Sequence, residues 1–172
     1  MLLDDYRLLG SSGLRVSPLC LGAMTFGDGG SRNADSQAES TAMLELYAAA
    51  GGNFIDTANI YNYGRSEEIV GDFIAGHRSN FVVASKYTMG MVEGQPNTGG
   101  NHRKNMMESV TSSLQRLGTD YLDLLWVHLW DFRTPVAEVM RGLDDLVRQG
   151  RVHYLGISNA PAWKVAQANM LA

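Results

Sequence analysis

Several residues that could do chemistry stand at the ends of otherwise apolar segments. Asp56, Lys86, His128 and the pair Ser158 and Asn159 each close such a segment. If the segments are parallel strands, their polar ends collect at one edge of the sheet, which is where α/β proteins carry their functional groups. A buried charge without a partner is costly, so we expect Asp56 and Lys86, on successive segments, to neutralise each other.

The elements that must position these residues alternate regularly along the chain. Five short apolar segments, rich in β-branched and aromatic residues, indicate buried parallel strands; they are residues 19–24, 53–56, 81–86, 121–128 and 152–157. The segments between them repeat apolar residues at helical spacing, as Val136, Val139 and Leu143 do, and indicate helices with one buried face. A small hairpin over residues 6–17 is predicted to precede the first unit and to cap one end of the sheet.

Local signals predict where the helices begin and end. Ser66, followed by Glu67 and Glu68, is predicted to be a helix N-cap with acidic residues in the first turn. Gly118 and Gly150 follow helical segments as candidate C-caps.

Two architectures fit five βα units. A doubly wound open sheet of five strands would be complete at 172 residues, whereas a (β/α)8 barrel normally needs about 250. The first βα junction favours the barrel, because residues 22–27 run into a polar loop, residues 28–37, instead of a G-x-G-x-x-G turn that opens a helix. We therefore predict an α/β chain of the (β/α)8 TIM-barrel type, with five of the eight units and an N-terminal hairpin, forming a single domain over residues 1–172.

Composition excludes several classes of function. The formal charge is −4 and hydrophobic residues make up 45%; without runs of Lys and Arg, neither nucleic acid nor an anionic membrane is an expected partner. No apolar stretch is long enough to span a membrane and no secretory signal pattern is visible, so we expect a cytoplasmic protein. Cys20 is the single cysteine, which excludes an intramolecular disulfide and a zinc site built from several thiolates, and no metal is expected.

Each candidate residue also has a simpler interpretation when taken singly. Asp56 and Lys86 could form a structural ion pair, and Tyr61 and His128 could be packing residues of the core. A lysine at a strand end could also form a Schiff base with a carbonyl substrate, as in class I aldolases. Trapping of a covalent adduct with borohydride would identify that chemistry.

Three longer motifs resemble the aldo-keto reductase family. Residues 52–61 with 64–71 resemble the family signature, residues 117–128 resemble its second motif, and residues 150–159 are similar to its fifth strand. The resemblance extends from about Tyr6 to Ala172. It is strongest to the aryl-alcohol-dehydrogenase-like branch of bacteria and fungi.

The resemblance implies NADPH-dependent reduction of an aldehyde or ketone to an alcohol. Tyr61 would protonate the carbonyl oxygen, and the ammonium group of Lys86 would stabilise the phenolate that remains. Asp56 would hold Lys86 and meet the nicotinamide ribose, while His128 would orient the carbonyl group. The expected partner is a small-molecule carbonyl substrate.

The resemblance also implies a binding site for the cofactor. Ser158 and Asn159 match positions that hold the carboxamide of NADPH. The backbone at Gly22, Ala23 and Met24 matches the first cofactor loop.

Five units would leave the first and fifth strands as open edges with apolar faces, which favours aggregation or pairing. We therefore expect self-association or a second chain that covers these edges. The alternative to the reductase is a catalytically idle relative that acts as an interaction module. The long Gly-rich loop predicted over residues 88–104 would border the substrate in the family.

Overall fold

The computed structural model describes residues 2–28 and 34–172. The strands are β1 (Arg7–Leu8), β2 (Arg15–Val16), β3 (Leu21–Gly22), β4 (Phe54–Asp56), β5 (Val82–Tyr87), β6 (Leu122–Val127) and β7 (Val152–Ile157). The helices are α1 (Gln37–Ala49), α2 (Arg65–Ile74), α3 (Arg103–Leu117), α4 (Val136–Arg148) and α5 (Ala162–Asn169), with short 3-10 turns at Tyr61–Gly64 and Arg78–Asn80. No helix in these two ranges is both long and apolar enough to cross a membrane.

The main sheet is parallel throughout and has the strand order β3-β4-β5-β6-β7. Each connection between neighbouring strands carries a helix. A doubly wound sheet reverses its strand order at a switch point, and this sheet does not. The predicted fold class, α/β with five βα units of the barrel type, is therefore confirmed. The polar loop predicted over residues 28–37 lies in part outside the described residues.

The larger core fills the space between the helices and the outer face of the sheet. Helices α1 to α4 each contribute buried apolar residues, as predicted from the helical spacing; for example, Ile69 and Ile74 of α2 belong to this core together with Val110 and Leu117 of α3. Burying each such side chain contributes about 1.5–3 kcal/mol. Helix α5 has no fully buried residue and adds only the partly buried Ala168. The outer face of the sheet is thus held firmly against α2 and α3.

The hairpin of β1 and β2 caps the amino end of the sheet, as expected. Val16 packs in a second, smaller core with Phe54 and Val82, both at the amino ends of their strands. Ser17 and Asn53 fix it there, since the Ser17 N–H donates to Asn53 Oδ1 at 2.7 Å and the Asn53 N–H donates to Ser17 Oγ at 2.6 Å. The opposite edge, where the strands end in polar residues, is left accessible.

Two predicted helix boundaries need correction. Ser66 is not the N-cap of α2, because the helix begins at Arg65 after Gly64, whose φ of 92° lies in the left-handed region. Ser66 is buried, and its hydroxyl donates to the carbonyl oxygen of Ala23 at 2.6 Å instead of capping its own helix. The loop predicted to run to residue 104 ends at His102, since α3 begins at Arg103. The left-handed C-cap predicted at Gly118 is confirmed.

Candidate active site

Asp56 and Lys86 form an ion pair at the carboxyl edge of the sheet. Asp56 is the last residue of β4 and Lys86 lies near the end of the adjacent strand β5. The Lys86 ammonium contacts the Asp56 carboxylate and donates a second hydrogen bond, of 2.8 Å, to the carbonyl oxygen of Thr57. Lys86 is only 8% exposed, so these oxygens replace the water that its charge would otherwise require.

Tyr61 lies against this ion pair. Lys86 Nζ is over the face of the Tyr61 ring, 4.7 Å from its centroid, a distance at which the cation is attracted to the ring. The ring of His128 meets Tyr61 edge to face, with 5.9 Å between the centroids. The carboxyl ends of β4 and β5 and the loops after β4 and β6 thus bring together all four of the predicted catalytic side chains.

The turn that presents Tyr61 has a strained backbone. Asn62 and Tyr63 have φ values of 45° and 56°, in a region that costs non-glycine residues about 1 kcal/mol or more. The side chain of Asn62 compensates by donating to the carbonyl oxygen of Phe26 at 2.8 Å. Contacts with the loop after β3 therefore impose the conformation of this turn.

His128 is half-buried beside two charged groups. Burial lowers the pKa of His128, and the nearby Lys86 ammonium lowers it further, while Asp56 acts in the opposite direction. The imidazole is therefore neutral at pH 7. A neutral imidazole has one N–H donor, which suits hydrogen bonding to an uncharged carbonyl oxygen.

Three of the residues predicted to bind the cofactor, Gly22, Asp56 and Ser158, line one open cleft of about 450 Å³. The cleft is lined by Cys20, Gly22, Phe54, Asp56, Lys86, Trp126, Ile157 and Ser158. Gly22 leaves open space where a Cβ would stand, and Asp56 and Ser158 add polar residues to the lining. A ribose and a carboxamide, which need polar partners on a flat apolar floor, fit this set of residues.

The other predicted cofactor residues differ in their accessibility. Met24 is exposed. Ala23 is fully buried, and its N–H donates to the carbonyl oxygen of Asp56 at 2.8 Å, so Ala23 braces the strand end that carries the carboxylate. Asn159 has a φ of 46°, and its side chain donates to the carbonyl oxygen of His128 at 3.2 Å. Asn159 thus links the cofactor cleft to the His128 loop.

Sequence reasoning missed the buried charge behind the site. Glu67 is fully buried and accepts hydrogen bonds from Ser85 Oγ at 2.5 Å and from Arg116 Nε at 2.6 Å. Ser85 directly precedes Lys86 in β5, so this cluster fixes the strand that carries the lysine. The pattern around Glu67 predicted an acid in a first helical turn, and nothing local to it indicates burial.

Sequence comparisons identify relatives of this chain. Residues 18–171 match the profile of the Aldo/keto reductase family. Norsolorinic acid reductase of Aspergillus flavus is 50% identical over 99% of the chain and 47% of its own length. Aryl-alcohol dehydrogenase GME11368 of Pestalotiopsis microspora is 46% identical, and aldo-keto reductase ausK of Emericella nidulans is 44% identical, each over 99% of the chain.

The chain spans about half the length of the curated relatives it matches, 47% of the norsolorinic acid reductase and 46% of ausK. The match covers the βα units that carry the Asp56 and Lys86 ion pair, Tyr61 and His128. With nearly the whole length of the chain matched to the family profile, the chain belongs to the aldo/keto reductase family.

Proposed function

We propose that this chain carries the catalytic residues of an NADPH-dependent reductase that converts aldehydes or ketones to alcohols. The observation that carries the proposal is the contact of the Asp56 and Lys86 ion pair with the ring of Tyr61. A structural ion pair would not need a tyrosine and a neutral histidine on the same face. Relatives named as reductases and a dehydrogenase do not favour the alternative of an interaction module.

Tyr61 is the proposed general acid. Its hydroxyl donates a proton to the carbonyl oxygen of the substrate, and the Lys86 ammonium stabilises the phenolate that results. A unit charge at about 4 Å and an effective dielectric of 20 contributes roughly 4 kcal/mol to such stabilisation. Asp56 keeps the ammonium in place and balances its charge, while neutral His128 donates a hydrogen bond that orients the carbonyl group.

The cofactor would supply the hydride. Ser158 and Asn159 would hold its carboxamide, the backbone at Gly22 and Met24 would lie along its path, and the carboxylate of Asp56 would meet its ribose. These residues bind and orient the nicotinamide end.

We further propose aromatic aldehydes and ketones as the substrate class. Two of the relatives are named for norsolorinic acid and for aryl alcohols. An aromatic aldehyde such as benzaldehyde is therefore a suitable first substrate.

The proposal is tested by titrating the chain with NADPH while following tryptophan fluorescence, since Trp126 lines the cleft. Saturable binding in the micromolar range is expected, with NADH titrated in parallel. Tyr61→Phe should lower turnover of an aromatic aldehyde by about 100-fold or more and leave the Kd for NADPH unchanged. Tyr63→Phe, in the same turn but 76% exposed, serves as the matched control and should retain turnover.

Two results would contradict the proposal. Equal turnover by Tyr61→Phe and the unmodified chain would exclude Tyr61 as the acid. An absence of NADPH binding up to millimolar concentration would exclude a functional cofactor site in this chain.

A further inference from the structure

A buried pair of side chains joins the loops that follow β5 and β6. Asn101 is fully buried, and its N–H donates to Asp131 Oδ2 at 2.7 Å. The N–H of Asp131 donates in return to Asn101 Oδ1, also at 2.7 Å. This reciprocal pair connects residues 30 positions apart in the sequence.

The amide group of Asn101 also holds the segments next to two of the site residues. Its Nδ2 donates to Thr88 Oγ1 at 2.8 Å and to the carbonyl oxygen of Leu129 at 2.9 Å. Thr88 lies two positions after Lys86, and Leu129 directly follows His128. One side chain thus ties the lysine segment to the histidine segment.

The segment held by Asn101 would not keep its conformation unaided. Thr88 has a φ of 109°, an outlier for a β-branched residue that strains the backbone at this point. Its backbone oxygen accepts a hydrogen bond of 2.7 Å from the N–H of Gly100, the residue before Asn101. Removing the Asn101 amide would therefore allow the end of β5 to relax.

Asp131 anchors this pair through several hydrogen bonds of its own. Its carboxylate accepts from the N–H groups of Arg133 and Thr134, each at 2.9 Å, and from Thr134 Oγ1 at 2.7 Å. Burial alone would raise the pKa of Asp131, but the hydrogen bonds from Asn101, Thr134 and Arg133 outweigh it and lower the pKa to about 2. The carboxylate therefore stays ionised at every physiological pH, and both of its oxygens remain able to accept these hydrogen bonds.

We propose that Asn101 is a positioning residue that holds Lys86 and His128 against Tyr61, acting through Thr88 and Leu129, with Asp131 as its anchor. As far as it concerns catalysis, this inference rests on the proposed function. The geometry of the site can be measured without turnover, so the positioning role of Asn101 and the proposed reductase function can be tested separately.

The experiment compares Asn101→Ala with Asn97→Ala, each made in the full chain of 172 residues. Asn97 lies in the same loop and is exposed, so it is the matched control. The first measurement is the titration of the His128 imidazole by NMR, assigned among the four histidines with a His128→Gln sample. In Asn101→Ala the His128 midpoint should move upward, toward the value of 6.5 for a solvated histidine, because the ring becomes more exposed. The midpoint in Asn97→Ala should not change.

The second measurement separates kcat from cofactor binding. Asn101→Ala, assayed well below its Tm, should lower kcat at least tenfold while the Kd for NADPH stays within about twofold. A purely structural role would lower the Tm without moving the His128 midpoint in the folded protein. If Asn101→Ala does not fold, Asp131→Asn takes its place; it preserves the shape of the anchor, removes its charge and should shift the midpoint in the same direction.

The proposal is overturned if the His128 titration of the folded variant, Asn101→Ala or Asp131→Asn, overlays that of the unmodified chain. This holds whether or not the chain reduces a carbonyl compound. A failure of NADPH binding would count against the proposed function, and the His128 titration would still decide the role of Asn101.

Discussion

Replacing Glu67 by glutamine would test the importance of the buried charge behind the active site. Glu67 is fully buried, and its carboxylate accepts from Arg116 Nε at 2.6 Å and from Ser85 Oγ at 2.5 Å. Glutamine has nearly the same shape. Its amide oxygen can still accept from Ser85, but its NH₂ group then faces the N–H of Arg116, and the guanidinium loses its counter-ion.

The expected loss of stability follows from these contacts. Removing one partner of a buried ion pair typically costs about 3–5 kcal/mol. The side chain of Arg116 is 20% exposed, so water relieves part of this cost, and we expect a loss of about 2–4 kcal/mol. For a chain of 172 residues, each kcal/mol lowers the Tm by about 2–4 °C, so the Tm should fall by roughly 4–16 °C.

The assay is urea unfolding followed by circular dichroism, with a thermal scan beside it. Glu68→Gln is the matched control, because Glu68 is the next residue of α2 and pairs with Arg65 on the surface, where its side chain is 45% exposed. Exposed pairs of this kind contribute under about 1 kcal/mol. The reasoning is refuted if Glu67→Gln lies within 1 kcal/mol of the unmodified chain, or if the two variants lose equal stability.

Two other predictions concern packing and pH. In Gly71→Ala the new Cβ would lie 2.8 Å from the Cα of Leu117, so we expect urea unfolding to show a loss of about 1–3 kcal/mol in the free energy of unfolding. Gly13→Ala is the control, because its Cβ meets open space, and it should lose far less stability. Equal losses in the two variants would contradict this prediction. Burial and Lys86 lower the pKa of His128 in the fold, so as the pH falls the unfolded chain takes up a proton at His128 before the folded chain does. The free energy of unfolding should therefore decrease as the pH drops below about 6.5 and stay level above it. His128→Gln should flatten that slope when unfolding is measured at several pH values. Identical slopes in His128→Gln and the unmodified chain would count against the burial of a neutral imidazole.

The order of the elements follows directly from the sequence. Alternating apolar and amphipathic segments identify the five strands and their helices, because parallel strands buried on both faces and amphipathic helices have different periods. Residues at the ends of neighbouring strands must meet, so the contact of Asp56 with Lys86 was predictable from their positions alone. The motifs around Tyr61 and His128 indicated the family, because each of these motifs is continuous in the sequence.

Only the tertiary structure decided the roles of residues whose partners are distant. Ser66 and Glu67 carry the local signals of a helix start, but both are buried, and their polar groups bond to Ala23, Ser85 and Arg116 instead of to their own helix. A buried polar group must find a partner, and the packing of other elements determines which partner is available.

The pair formed by Asn101 and Asp131 shows the same limit. Each residue stands in a loop without periodicity, and a contact between positions 30 residues apart depends on how two loops fold over adjacent strands. The sequence by itself therefore determined the strand and helix order and the candidate catalytic residues. The tertiary structure decided which buried hydrogen bonds hold those residues in place, because such bonds form between loops and helices that are distant in the chain.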